Sequence, residues 1–129
     1  MSKYPNLTEA DSAIMELLWQ QGRMNSAEIL RQAGGKLGWT RQTVRTYLAR
    51  LIDKGLVGSE ELNKRDLIYY PVVSRREYAA DRSGTILNRY YAGLADMVAG
   101  IVQSENVSDS DLDELESLIR KLRVGKEEQ

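Results

Sequence analysis

Apolar residues recur at helical spacing over the first third of this chain. They switch to short strand-like runs in the middle, then return to helical spacing. Ala10, Ile14, Leu17 and Leu18 fall on one side of "EADSAIMELLWQQG". Thr8 with Asp11 three residues on forms a box-like start, and Gly22 is the stop. Asn25 with Glu28 opens a second, shorter helix, "SAEILRQAGG", which ends at Gly34 and Gly35. Thr40 caps a third helix running to about Lys54, with Gly55 just beyond its end. "LVGSEEL" and "DLIYYPVV" then read as two strands of a hairpin, separated by the polar "NKR". Its tip carries Lys64 and Arg65, and Pro71 ends the second strand or sits at an edge. Tyr69 and Tyr70 point to opposite faces, so one packs inward and the other faces out.

Beyond the hairpin, Ser74 with Glu77 opens a fourth helix, which Gly93 interrupts. Leu94, Met97, Val98, Ile101 and Val102 form a stripe after that break. Ser108 with Asp111 opens the last helix, whose apolar residues are Leu112, Leu115, Leu118, Ile119 and Leu122; the tail "GKEEQ" frays. This order predicts a mainly α protein with a small β-wing. A winged helix-turn-helix DNA-binding domain occupies residues 1–73 and a helical dimerisation region residues 74–129. The C-terminal stripes have little else in the chain to bury them, and a few short helices seldom form a stable unit alone. A homodimer with Leu94, Met97, Val98, Ile101, Leu112, Leu115, Leu118, Ile119 and Leu122 in its interface resolves this; folding back onto the winged domain is the alternative.

Composition narrows the chemistry. The 129 residues are 42% hydrophobic and 29% charged, as expected of a soluble globular chain. No apolar run approaches about 18 residues and the N-terminus has no apolar signal core, so we expect a cytoplasmic protein without membrane insertion. Cysteine and histidine are both absent, which removes disulfides, thiolate ligands, thiol nucleophiles and the commonest general base. With no Gly-rich phosphate loop either, we expect no enzyme, no metal and no cofactor.

The net charge of −1 conceals an asymmetry. Residues 1–78 hold 12 Lys and Arg against 9 Asp and Glu, whereas residues 79–129 hold 6 against 10. Within residues 36–54, Lys36, Arg41, Arg45, Arg50 and Lys54 face a single acid, Asp53. The third helix has two sides. Val44, Leu48, Leu51 and Ile52 form the apolar one, with Trp39 packing beside it. Gln42, Thr43, Arg45, Thr46, Ala49 and Arg50 form the other, without a carboxylate until Asp53. Gln42, Thr43 and Thr46 suit hydrogen bonds and methyl contacts to base edges. Arg41, Arg50, Lys54, Lys64 and Arg65 suit backbone phosphates. A competing expectation is a winged-helix protein-interaction module whose basic face binds an acidic partner.

The residues that carry these features also resemble a known family. "LTEADSAIMELLW" and "GWTRQTVRTYLARLIDKGLV" are similar to the first and recognition helices of the penicillinase repressor family, the BlaI/MecI/CopY type. Trp39, Thr40, Thr43, Val44, Thr46, Leu48, Arg50, Leu51, Lys54 and Gly55 fit the family's recognition-helix pattern; Arg65, Tyr69 and Pro71 fit its wing. The resemblance spans about residues 7 to 122. It implies a dimeric bacterial repressor on a palindromic double-stranded DNA operator with TACA/TGTA-like half-sites. It also implies base contacts by Gln42, Thr43 and Thr46, with Arg45 and Arg50 at or beside the backbone. Some members have lysine where this chain has Gln42. Copper-responsive members carry a cysteine-rich C-terminal metal motif, which this chain lacks. β-Lactam-responsive members are cleaved at an Asn-Phe bond in the C-terminal helices by a membrane metalloprotease sensor. The corresponding position here is Gly100–Ile101, a different bond, where ordinary packing at a helix crossing is the competing reading.

Overall fold

The computed structural model describes residues 2–127. It consists of α1 (Glu9–Gln21), α2 (Ser26–Ile29), a π-helical turn (Leu30–Gly34), α3 (Gly35–Leu37), α4 (Arg41–Asp53), β1 (Val57–Glu61), β2 (Leu67–Pro71), α5 (Arg75–Tyr90), α6 (Leu94–Ser104) and α7 (Asp109–Glu127). Two compact units divide the chain, residues 1–86 and 87–129.

The first unit is a winged helix-turn-helix. α1 starts at a full capping box. The Asp11 N–H donates to Thr8 Oγ1 (3.1 Å) and the Thr8 N–H to Asp11 Oδ2 (3.3 Å). Ile14, Met15 and Leu18 are buried on its inner face, against Ile29 of the second helix and Val44, Leu48 and Leu51 of α4. Each such aliphatic side chain stabilises the fold by about 1.5–3 kcal/mol relative to exposure. The wing closes this core from the other side through Leu56, Val57, Tyr69 and Val73.

One expectation for this core needs correction, and one apolar position of α4 lies outside it. The second helix does not stop at Gly34 and Gly35, which both have helical dihedrals. It continues through the π turn to Leu37 and ends at Gly38, whose φ of +69° lies in the left-handed region that glycine tolerates. The Trp39 N–H donates to the Gly34 carbonyl (2.8 Å), which closes the helix end. Gly34 itself is buried, and a Cβ there would strike the Leu30 side chain. In α4, Ile52 is 37% exposed and stands outside the core. Its position is rotated away from Val44, Leu48 and Leu51 toward the Arg41–Arg45 flank.

β1 and β2 pair antiparallel, with Val57 opposite Pro71 and Ser59 opposite Tyr69. Pro71 is the last residue of its strand. Met24, in the link between the first two helices, adds a short third rung through two backbone bonds with Tyr69 (2.8 and 3.0 Å). Tyr69 is buried. Tyr70 is half-buried against Gly58, with the Arg23 guanidinium 5.3 Å above its ring.

Unit 1 runs past Val73, the expected boundary, because α5 docks on it. The Tyr78 ring lies between Tyr4 and Trp19, at 6.4 and 6.0 Å, and its hydroxyl donates to the Pro5 carbonyl (3.0 Å). The Trp19 indole N–H donates to the Val73 carbonyl (2.9 Å). Asp81 accepts the backbone N–H groups of Lys3 (2.7 Å) and Tyr4 (3.1 Å). The Lys3 N–H is the main reason that the Asp81 carboxyl titrates below its usual value; partial burial opposes this, and the Tyr4 N–H and Arg82 add to the lowering.

The second unit contains α6 and α7. Gly93 precedes α6 in extended backbone, as the interruption in the sequence suggested. Ser108 and Asp111 form reciprocal bonds of 3.1 Å at the start of α7. Of the "GKEEQ" tail, Gly125–Glu127 continue α7 and do not fray as expected; the last two residues lie outside the described part. Among the described residues, no helix is long and apolar enough to cross a membrane.

Candidate nucleic-acid interface

The site is built on α4. Thr40 precedes it in extended backbone, and its hydroxyl accepts the Thr43 N–H (3.2 Å). That cap fixes where the first turn begins, and hence which residues of α4 face outward. With Val44, Leu48 and Leu51 buried, the opposite edge is formed by Gln42, Thr46 and Ala49, all exposed. Thr43 is half-buried, and its hydroxyl lies 3.0 Å from that of Thr40. The Thr46 hydroxyl donates to the Gln42 carbonyl (2.9 Å), so its oxygen remains able to accept. No acid stands on this edge before Asp53, one turn beyond Ala49.

Two flanks border the edge. On one, Arg41 and Arg45 share a polar cleft of about 460 Å³ with Asn25, Ser26 and the wing residues Arg65, Asp66 and Tyr69. The wing loop is held by Asn63, whose side-chain oxygen accepts the N–H groups of Arg65 (2.9 Å) and Asp66 (3.1 Å). Lys64 is exposed beside Arg65. On the other flank, Arg50 lies 5.9 Å over the Tyr47 ring, and Tyr47 meets Trp39 edge-on at 5.1 Å. This flank borders a shallow groove against the cap residue Thr8 and Glu9, Ala10 and Ala13 of α1. Arg50 therefore stands apart from the cleft that joins Arg41, Arg45 and Arg65.

Lys54 is engaged elsewhere. Its ammonium lies 2.6 Å from Asp11 Oδ2, and Asp11 is fully buried. Burial pushes the Asp11 carboxyl up. The Lys54 ammonium and the Thr8 N–H outweigh that effect, so it titrates below its ordinary value of 3.8. Lys54 thus ties the C-terminus of α4 to the N-terminus of α1, and its charge is neutralised inside the unit. This corrects its expected place among phosphate-facing bases. The sequence did show Asp11 as a capping residue, but the pairing crosses 43 positions and no local pattern signals it.

Arg23 and Arg75 are also paired with carboxylates, Glu60 and Glu16 respectively. Arg41, Arg45, Arg50, Lys64 and Arg65 have no ion-pair partner among the described residues. The first unit thus presents an acid-free hydrogen-bonding edge flanked by unpaired guanidinium groups. That is the chemistry of a surface for a polyanion whose interior edges offer donors and acceptors. No cluster of residues suited to a metal occurs among the described residues.

The expected interface residues of the second unit are placed on α6 and α7. Met97, Val98 and Leu115 are half-buried, while Leu94 is 68% and Leu122 58% exposed. Ile101, Leu112, Leu118 and Ile119 are also exposed. Gly100 and Ile101 lie inside α6, and the Tyr91 ring packs 3.3 Å from where a Cβ on Gly100 would be.

Comparison with known proteins agrees with this architecture. The penicillinase repressor family matches residues 7–121. The penicillinase repressor of Bacillus licheniformis is 27% identical over 129 residues, covering 99% of this chain and 100% of that protein. The methicillin resistance regulatory protein MecI of Staphylococcus aureus (strain N315) is 24% identical over 121 residues, 93% of this chain and 98% of its own length. Among solved structures, the monomeric form of B. licheniformis BlaI in complex with the blaP half-operator is 27% identical, with a TM-score of 0.51 over 60% of this chain and 94% of that one. A winged helix-turn-helix fold with a family match over most of its length leads to one conclusion: this chain belongs to the penicillinase repressor family, a family of transcriptional repressors and not of enzymes.

Proposed function

We propose that the protein is a homodimeric transcriptional repressor that covers a palindromic operator and blocks the promoter beneath it. The observation that carries this reading is the acid-free edge of α4, flanked by unpaired arginines that continue onto the wing. Gln42, Thr43 and Thr46 read base edges in the major groove. Arg41, Arg45, Lys64 and Arg65 hold phosphates on the wing side, and Arg50 does so on the far flank. That a relative, the B. licheniformis BlaI monomer, is solved in complex with a half-operator supports DNA as the partner.

Dimerisation falls to α6 and α7. Their apolar residues lie largely exposed in a single chain, and a second copy is the occupant that makes a two-fold repressor. Repression ends when the C-terminal region loses its grip, through proteolysis or another signal. If a membrane metalloprotease sensor is the agent, Gly100–Ile101 is the bond to consider. It lies within α6, so cleavage requires that helix to open locally first.

The test is binding of the purified full chain to its own upstream DNA, against scrambled duplex of equal length, across a salt series. A dimer contacting about 6–10 phosphates loses about 10³–10⁵ in affinity between about 50 and 200 mM salt while keeping its preference for the upstream site. Equal, salt-insensitive affinity for both duplexes would contradict the proposal and favour an acidic protein partner.

A further inference from the structure

The cleft between α4 and the wing has a property that three independent surface charges would not have. Arg41 and Arg45 come from the first turns of α4, and Arg65 comes from the hairpin loop, yet all three line the same concavity. The only carboxylate in the lining is Asp66, whose Oδ2 lies 3.5 Å from the Asn63 amide, and no arginine of the cleft is ion-paired among the described residues. Elsewhere in the same unit, Arg23, Arg75 and Lys54 all have carboxylate partners. Bringing like charges together without a counterion is unfavourable, and an anion between them reverses the sign of that interaction.

We propose that Arg41, Arg45 and Arg65 form one seat for a single backbone phosphate, which fastens the wing to the reading helix. The inference rests on the DNA-binding reading above and deepens it. A phosphate diester suits the seat because its two unesterified oxygens can accept from several guanidinium groups at once. The Ser26 hydroxyl and the Asn25 side chain complete a polar lining. Asn63 holds the backbone of Arg65 in place before any ligand arrives, through the 2.9 Å bond to its N–H. The seat therefore sets the distance between wing and helix, and with it the register of Gln42 and Thr46 on the bases. Three arginines on one phosphate also behave differently from three arginines on three phosphates. Removing any one of them weakens the same contact, so the losses do not add.

The counterion count tests this directly. The probe is the upstream duplex segment protected by the full chain, and the measurement is the slope of log affinity against log salt. The variants are Arg41→Ala, Arg45→Ala, Arg65→Ala and the triple. All three residues are exposed, so the urea midpoints should stay unchanged. One phosphate per half-site predicts that the triple variant lowers the slope by about 0.9 per half-site, and that the single losses are markedly less than additive. A methylphosphonate at one backbone position per half-site should then make binding insensitive to all three substitutions. A slope change of about 2.7 per half-site for the triple variant, or arginine effects that map to different methylphosphonate positions, would overturn the single seat while leaving the repressor reading intact. Failure of the wild-type chain to prefer its upstream site would instead overturn both.

Discussion

Thr46 illustrates how one residue on α4 can hold a local bond and still present an acceptor on the exposed edge. A β-branched residue is a poor helix former, but its hydroxyl bonds to the Gln42 carbonyl at 2.9 Å and so holds a fixed rotamer on the exposed edge. Thr46→Ala improves helix propensity and should not destabilise the fold. It should cost about 1–3 kcal/mol of operator affinity with little change on random DNA. Equal loss on both duplexes would remove Thr46 from the base-reading set. Asp11 is the contrasting case, a buried carboxylate with a purely internal partner. Its pKa lies below the ordinary value of 3.8, so its contribution to stability is complete above about pH 5. That contribution is lost as pH falls through the folded pKa. Urea melts should therefore show the wild type losing stability below about pH 5 more steeply than Asp11→Asn, which has no charge to protonate. At neutral pH, breaking the pair should cost toward the low end of about 3–5 kcal/mol, because the Lys54 side chain keeps 26% of its exposure. Identical pH profiles for the two proteins would show that the Asp11–Lys54 pair is not what acid disrupts.

The elements most easily read from the sequence were those with chemical punctuation at both ends. Thr8, Asn25, Thr40, Ser74 and Ser108 each precede a helix, as their side-chain bonding capacity predicts. The end of the second helix is not where adjacent glycines, which ordinarily signal a stop, would put it. Here Gly34 is small for a different reason, since Leu30 packs where its Cβ would be. The actual stop is Gly38, where the backbone turns from the second helix into α4. Gly38→Ala forces a side chain into φ +69° and should cost about 1–2 kcal/mol in a urea melt. A neutral result would mean that the turn adjusts its dihedrals without consequence. Other features were not legible because they depend on long-range contacts. The Met24 rung beside Tyr69, the docking of Tyr78 between Tyr4 and Trp19, and the Lys54–Asp11 pair all join residues far apart in sequence. Local periodicity carries no information on them. The base-reading candidates were accessible from sequence because burial of Val44, Leu48 and Leu51 dictates what faces out. The convergence of Arg41 and Arg45 with Arg65 was not, because it needs the wing to fold back beside α4.

At the scale of the whole molecule, the two units have different needs. The first buries its own core, whereas α6 and α7 contain no fully buried residue among those described. A pair of helices with so little enclosed apolar surface is marginal by itself, which is the physical case for a second copy. Leu115, half-buried among the apolar residues between α6 and α7, should be sensitive to charge. Leu115→Asp should yield a monomer by sedimentation that binds a half-site weakly and loses the cooperative affinity for the full operator. An intact dimer would place the interface elsewhere. The central claim, that two copies of α4 and its wing read a two-fold site, is tested most directly by hydroxyl-radical footprinting of the full chain on its own upstream DNA. Two protected segments related by a dyad are expected, with centres about one helical turn, or a whole number of turns, apart. Salt-sensitive protection without a preferred position, or no protection at low salt, would contradict that claim.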